Sequence, residues 1–374
     1  MERIAIWALT PNGARLAGRC SAHFPEAAVF VPRKIPTRIF QGVSPWVPAT
    51  RFDRLGPELQ NRFRDFEGHI FIMSTGIVVR LIAPLLRAKT KDPAVVVLDE
   101  GGVHAISLVS GHIGGANALA RRVAKTLGAT AVITTATDIQ ALPAVDAIAV
   151  ERGLRIENPA AIRTVSMALL TGDSIGLHDP MGWLGDSLDG VAVPFMEEGG
   201  TAGVWVDHWN RRNSHAAGQR DGILRLRPPT LVAGMGCNRG TAVAELRRLL
   251  QETLEAADLS PLSLVAIASV DVKADEPGLM ELAQELGIPF WTFPREALRA
   301  MTQVPTPSER VARHVGTPSV CEAAALLAAG EGGTLWVTKR KSANGTVAVA
   351  GRKVGPERRA DLPPEVSDPR GNAV

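Results

Sequence analysis

The 374-residue chain contains no tyrosine at all. That excludes any mechanism built on a phenolic proton donor, including reductases that rely on a Tyr–Lys pair. Cysteine is scarce: Cys20, Cys237 and Cys321 lie far apart and are odd in number. None belongs to a C-x-x-C pair, so neither a disulfide framework nor a structural zinc site is supported. An excess of one charge is also missing. Lys and Arg number 41 against 38 Asp and Glu, a net +3, which argues against a wrapped nucleic acid or an anionic membrane as partner. No stretch approaches the ~20 uncharged apolar residues of a membrane span; Arg80 and Pro84 interrupt the best candidate. The N-terminus carries Glu2 where a secretory signal wants cations. A cytoplasmic protein is expected, with no nucleic acid and no membrane among its partners.

What is present is ordinary globular material, 45% hydrophobic and 21% charged, and the length suggests two to three domains. Strand-length apolar runs at 4–9, 69–73, 94–98, 104–109 and 130–134 alternate with amphipathic stretches. The clearest helix is 115–127, where Ala116, Ala120, Val123 and Leu127 share a face and Gly128 is placed to end it. This alternation predicts an open α/β sheet, largely parallel. From about 142 the texture changes. Segments 143–150 and 158–170 read as helices, 172–203 is rich in Gly, Asp and Trp, and 207–220 is a polar connector. After Pro228-Pro229 a second α/β unit begins, with strands at 230–234, 264–270 and 289–292 and helices at 241–257, 277–286 and 320–329. A hairpin of 334–338 with 346–350 would turn at Ser342-Ala343-Asn344-Gly345. The expected fold class is α/β, two open, mostly parallel-sheet lobes joined by a small middle segment. Its domains would be 1–139, 140–228 and 229–352, followed by a charged, Pro-rich tail over 353–374 expected to be disordered.

In open α/β sheets ligands gather beyond the C-terminal strand ends. The first unit offers four such places: Ser74-Thr75-Gly76, opening a helix that carries Arg80; Asp99-Glu100-Gly101-Gly102; Ser110-Gly111-His112-Ile113-Gly114-Gly115-Ala116-Asn117; and Thr134-Thr135-Ala136-Thr137-Asp138. The third is the strongest signal. Its glycines let backbone approach a ligand, and a helix N-terminus presents free N–H groups to an anion. It lacks the Gly-Lys-Ser/Thr of a P-loop and the G-x-G-x-x-G spacing. Structural readings compete throughout: a tight turn capped by Ser110, Asp99 or Glu100 as a turn cap rather than a base, Thr75 as an N-cap, Asp138 as a loop anchor. Arg80 and Asn117 fall on first helical turns, where solvation is the default.

The second unit opens with Gly234-Met235-Gly236-Cys237-Asn238-Arg239-Gly240, a weak dinucleotide signal and a fair anion signal. A nicotinamide-dependent oxidoreductase could use it, although Asp271 lies farther on than the usual ~20 residues. A helix N-terminus and Arg239 would depress the Cys237 pKa, but no histidine is close in sequence to activate a nucleophile. Asp275, Glu276 and Pro277 read as a helix start, and Ser319-x-x-Glu322 as a capping box. Lys273 has no such structural duty and is the better ligand contact. No metal site is expected: His208 and His215 share their connector with Arg211 and Arg212, and His104 and His112 lack companion spacing.

Taken in order, these segments resemble the cobalt-precorrin-5A hydrolase (CbiG) family of anaerobic cobalamin biosynthesis. The resemblance rests on Ser74-Thr75-Gly76 through Arg80, Asp92-Pro93 through Asp99-Glu100, the Ser110–Asn117 string and Thr134 to Asp138. In the second unit it rests on Gly234-x-Gly236-Cys237-x-Arg239-Gly240, Lys273-x-Asp275-Glu276, Ser319-Val320-x-Glu322-Ala323-Ala324-Ala325, and Lys339-x-Lys341 with Asn344. It covers about residues 3–352 and implies opening of the ring-A δ-lactone of cobalt-precorrin-5A, with loss of acetaldehyde to give cobalt-precorrin-5B. Cobalt would arrive with the tetrapyrrole substrate, so no protein cofactor or metal is implied. For the acid–base work we expect His112 or Glu100, with Asp99 beside it and the amides of 111–115 as oxyanion donors. Substrate carboxylates would meet Ser74, Thr75, Gly76, Arg80, Ser110, Gly111, Gly114, Gly115, Asn117 and Asp138 in one lobe, and Gly236, Cys237, Arg239, Lys273 and Glu276 in the other. A homodimer and hand-over to neighbouring enzymes of the pathway are compatible with this reading. The second unit also resembles a stand-alone protein of the aerobic pathway, so a non-catalytic corrinoid carrier is the alternative.

Overall fold

The computed structural model describes residues 3–40, 48–88, 91–195, 202–210, 222–301, 304–306 and 319–352. His215 and the tail 353–374 lie outside the described residues. The chain divides into two compact units, Met1–Ile148 and Ala149–Val374.

The first unit is built on β1 (Ile4–Ala8), β2 (Ala28–Pro32), β3 (Ala49–Phe52), β4 (Gly68–Ile72), β5 (Ala94–Leu98), β6 (His104–Val109) and β7 (Thr130–Val132), in the order β3-β2-β1-β4-β5-β6-β7. Its helices are α1 (Pro11–Ser21), α2 (Leu55–Arg62), α3 (Thr75–Ile82), α4 (Ala116–Leu127), α5 (Ala136–Ile139) and α6 (Val145–Glu151). Strands β1, β4 and β5 are buried along their whole length, as expected for strands covered on both faces. Alternate residues go to opposite layers. Ile4, Ile6 and Ala8 pack with Leu16 of α1 and Leu119 and Val123 of α4, whereas Ala5 and Trp7 pack with Leu59 of α2 and Val78 and Ile82 of α3.

Beneath the second layer sits His69, fully buried among Trp7, Phe63 and Phe71. Its Nδ1 accepts from Trp7 Nε1 at 3.0 Å and its Nε2 lies 3.0 Å from the Phe63 carbonyl. Burial pushes its pKa down to about 4, so the ring is neutral, accepting on one side and donating on the other.

One pairing differs from the rest. Strand β6 runs antiparallel to β5, with Leu98 opposite Ala105 and Val95 opposite Val109, and β7 follows β6 in parallel. The cause is the length of the connection. Residues 99–103 form a hairpin, too short for the dozen or more residues that a parallel crossover needs. The ends of β6 and β7 therefore open on the opposite edge of the sheet from the ends of β1, β4 and β5.

The second unit carries two sheets. The middle segment, for which the sequence suggests two helices and no strand, has a five-stranded sheet of its own, β10-β9-β11-β12-β8, from β8 (Arg155–Ile156), β9 (Ile175–His178), β10 (Ala192–Pro194), β11 (Gly203–Val206) and β12 (Ile223–Arg227), beside helix α7 (Ala161–Leu170). Asp207 and His208, expected in a polar connector, are buried at the end of β11. Asp207 binds the fully buried Arg227, which also reaches Glu157. The last sheet, in the order β15-β14-β13-β17-β16, combines β13 (Leu231–Cys237), β14 (Leu264–Val270), β15 (Phe290–Phe293), β16 (Thr334–Lys341) and β17 (Gly345–Gly351). Helices α8 (Val243–Ala256) and α9 (Pro277–Leu286) cover one face and α11 (Val320–Ala329) the other; α10 (Arg295–Ala300) follows β15. The expected hairpin is present, β16 antiparallel to β17.

Among the described residues no helix is long and apolar enough to cross a membrane.

Candidate active site

The reversed β6 separates residues that the sequence placed together. Ser74, Thr75, Asp99 and Glu100 follow β4 and β5 at one edge, while the 110–117 turn and Asp138 follow β6 and β7 at the other. Five residues of β5 put those edges about 15 Å apart.

At the first edge the Asp99 carboxylate is held by the hairpin. It accepts from the backbone N–H groups of Gly101 (2.8 Å), Val103 (3.1 Å) and His104 (2.5 Å). Partial burial opposes ionisation, yet these donors keep the carboxyl below its usual range. Glu100 is exposed and accepts a hydrogen bond from the Thr10 hydroxyl. Since Thr10 follows β1, Glu100 follows β5 and β4 lies between, this bond passes over the end of β4, where α3 begins. Ser74 is the N-cap of α3 but its side chain makes no capping hydrogen bond, and Ser74 and Gly76 are exposed. Arg80 turns back on its own helix, donating to the Gly76 carbonyl at 2.9 Å.

At the second edge the 110–117 turn is closed on itself. The amides of Gly115, Ala116 and Asn117 bond the carbonyls of His112, Ser110 and Gly111 at 2.9–3.0 Å, so the Gly115 N–H is committed and is no oxyanion donor. A Cβ on Gly114 would fall 2.3 Å from Ser110 Cβ, so at 114 glycine is needed for packing. His112 sits between two carboxylates: Nε2 is 3.0 Å from Asp138 Oδ2 and Nδ1 is 3.3 Å from Asp146 Oδ1. Asp146 foremost, and then Asp138, raise the His112 pKa against the cost of burial. Asp138 also accepts from Asn117 Nδ2 (2.9 Å), Thr135 Oγ1 (2.5 Å) and Arg121 (2.5 Å). Burial opposes ionisation here, but Thr135, Arg121 and His112 bring its pKa down to about 2. Asn117 is buried and takes the Ser107 hydroxyl at 2.6 Å. Both nitrogens of His112 thus face a carboxylate, Nε2 through a hydrogen bond to Asp138 and Nδ1 through the ion-pair contact with Asp146. Among the described residues no three His, Cys, Asp or Glu side chains form a metal-ligand group.

In the second unit the C-terminal ends of β13 and β14, the start of α11 and the turn of the β16–β17 hairpin enclose a cleft of about 400 Å³. Gly236, Cys237 and Lys273 line it, joined by Lys339, Lys341 and Asn344. Arg239 lies outside, exposed and paired with Asp275 at 2.6 Å. Glu276 is fully buried; it accepts from the Gly240 amide at 2.7 Å and from Lys273 at 2.8 Å. The helix-start reading of Glu276 therefore understates it, and Lys273 does have a structural partner. Burial raises the Cys237 pKa despite the nearby Lys273, the reverse of the depression expected. The G-x-G spacing also has a packing cause, because a Cβ on Gly234 would meet the Cys321 carbonyl at 1.9 Å. The expected capping box is absent. Ser319 makes no capping hydrogen bond, and Glu322 takes the Thr306 hydroxyl at 2.7 Å and the Lys339 amide at 3.1 Å.

Sequence reasoning passed over Asp146, Arg121, Thr135, Lys339 and Lys341 as site residues. Asp146 and Arg121 are polar helix residues with no motif around them, whereas Thr135 lies within the Thr134–Asp138 string and the alternation Lys339-x-Lys341 on a strand carries a usable signal: residues two apart share a face.

Three family models match the chain: Cobalamin synthesis G N-terminal over residues 58–138, Cobalamin biosynthesis central region over 143–228 and Cobalamin synthesis G C-terminus over 231–350. The chain belongs to the cobalamin synthesis G family. A cobalt-precorrin-5A hydrolase of Priestia megaterium is 34% identical over 357 residues, 92% of this chain and 94% of that protein. One of Salmonella typhimurium is 37% identical over 347 residues, 87% of this chain and 92% of that protein. With these relatives, the chain is a hydrolase of cobalamin biosynthesis. The protein CobE of Sinorhizobium sp is 37% identical over 122 residues, 32% of this chain and 79% of that protein.

Proposed function

We propose that the chain hydrolyses cobalt-precorrin-5A, opening its ring-A δ-lactone and releasing acetaldehyde to leave cobalt-precorrin-5B. The observation that carries this reading is the similarity to two proteins named cobalt-precorrin-5A hydrolase over about nine-tenths of the chain. The cobalt comes bound in the substrate. A base takes a proton from water as it adds to the lactone carbonyl, and collapse of the oxyanion frees the hydroxyl on the former meso carbon. That hydroxyl then loses its proton as the bond from its carbon to the ring breaks. The electron pair enters the conjugated macrocycle and the two-carbon fragment leaves as acetaldehyde.

Glu100 is the base this geometry favours. It is an exposed carboxylate, held by Thr10 above the start of α3, where a helix N-terminus without a side-chain cap offers amides to an oxyanion. His112 stands at the opposite edge with its ring shared between Asp138 and Asp146, and serves the local structure there rather than the chemistry at Glu100. The test is acetaldehyde release from cobalt-precorrin-5A. Glu100→Gln should lower kcat by about 100-fold or more, whereas His112→Gln should keep measurable turnover with an unchanged alkaline limb of the pH profile. Full turnover in Glu100→Gln removes it from the mechanism. No acetaldehyde from the wild-type chain removes the hydrolase reading itself.

A further inference from the structure

The cleft in the second unit has an unusual balance of charge for a chain that is nearly neutral overall. Lys273, Lys339 and Lys341 line it, and no Asp or Glu does among the described residues. Two of the three ammonium groups are anchored from behind. Lys273 rests on the buried Glu276, and Lys339 donates to the Thr306 carbonyl. Both therefore keep donors for a ligand without needing to be ordered by it. Lys341 is exposed and has no carboxylate partner among the described residues. It ends β16, and the turn that follows is locked by Glu245, which accepts from Ser342 Oγ (2.6 Å), the Asn344 amide (2.7 Å) and Asn344 Nδ2 (3.1 Å). The start of α11, with no side-chain cap on Ser319, opens into the same cleft.

Val270, Val272 and Val320 give the wall an apolar patch, set among the polar side chains of Asn238, Ser319, Asn344 and Thr346. Cations beside an apolar wall suit a carboxylate carried on a hydrocarbon arm better than a free inorganic anion. The volume of about 400 Å³ falls at the low end of small-molecule sites, which run from about 300 to 1,000 Å³. It admits the edge of a large ring with its side arms, not the whole ring.

We infer that this cleft is a carboxylate-arm subsite for a tetrapyrrole, with Lys341 as the residue that selects charged arms over neutral ones. The inference rests on the hydrolase reading only for the identity of the ligand. No lining residue is asked to do chemistry; Lys273 and Lys339 fix two arm positions, and Lys341 closes the charge pattern from the hairpin.

The experiment is a visible-absorbance titration of the full chain with a porphyrin bearing eight carboxylate arms, set against the same porphyrin with every arm converted to a neutral amide. Saturable binding of the carboxylate form, weakened by added salt, is expected. Lys341→Ala should weaken it about 2- to 5-fold, Lys341→Glu at least ~10-fold, and Lys341→Arg should retain it. Equal binding of the amide, unchanged affinity in Lys341→Glu, displacement by equimolar inorganic phosphate, or no saturable binding at all overturns the inference. Acetaldehyde release separates the two readings. Turnover with unaltered KM in Lys341→Glu sinks the subsite and leaves the hydrolase standing, whereas porphyrin binding without any turnover does the reverse.

Discussion

Two charged regions of this molecule are built on opposite principles. Around His112 every charge meets its counterpart: Asp138 and Asp146 flank the ring, while Arg121, Asn117 and Thr135 complete the Asp138 shell. The cleft of the second unit presents three lysines and, among the described residues, no lining carboxylate. A network whose charges are paired internally has little charge left with which to hold a ligand, and its free energy goes into fixing local structure. Of the cleft lysines only Lys273 has a carboxylate partner among the described residues, Glu276, so positive charge is left there that a ligand from outside can neutralise. The string with the most conspicuous sequence is therefore the more structural of the two, and the site with the plainer sequence is the more open to ligand.

The largest expected effect tests the closed network. Asp138→Ala removes the shared acceptor and leaves His112, Asn117 and Arg121 facing each other with no carboxylate at their centre. A loss of about 3 kcal/mol is expected by urea unfolding, with porphyrin affinity at the cleft unchanged; a loss under about 0.5 kcal/mol would mean that the network does not hold the fold.

Next come two pH effects of opposite sign within the first unit. His69 has a folded pKa of about 4, below the unfolded value of ~6.5. Its contribution is full above the unfolded value and is lost as pH falls towards 4, amounting to about 3 kcal/mol. His112 is shifted upward, so its contribution is present below the unfolded value and is lost as pH rises through the folded one. Unfolding measured from pH 4 to 9 should show both limbs, and His112→Gln should abolish the alkaline one alone. An alkaline limb that survives in His112→Gln assigns it elsewhere.

The smallest effect is on the stability of Lys341→Ala. An exposed lysine without a carboxylate partner should change unfolding by no more than about 0.5 kcal/mol. Such a variant, stable but weak in binding, would sharpen the contrast with Asp138→Ala. A large destabilisation would make Lys341 a structural residue.

Much of the fold was legible because fully buried parallel strands are simple apolar runs. β5 and β6 were found over their whole ranges, as were α9 and the helix Val320–Ala329. The middle sheet was not, since strands such as Arg155–Ile156 and Ala192–Pro194 are too short to show a period of two. Direction was harder still. Only five residues separate β5 from β6, a hairpin signal that was available, and reading it as a ligand loop assigned Glu100 and His112 to one edge. Gly114 reads in sequence as room for a ligand and Gly234 as part of a weak dinucleotide pattern, whereas each makes room for the protein's own backbone and side chains. Sequence shows that a glycine is present but not what approaches it.

By itself the sequence determined the α/β class, the family, the hairpin that carries Lys341, and the exclusion of phenol chemistry by the missing tyrosine. These follow from composition, local periodicity and ordered motifs, all of which are properties of neighbouring residues. Only the tertiary structure decided that His112 is enclosed by Asp138 and Asp146, that Glu100 stands at the opposite edge, and that lysines 66 or more positions apart, Lys273 and Lys339, share one cleft. Charge compensation and proximity are set by strand direction and by contacts remote in sequence, and neither leaves a local trace in the chain.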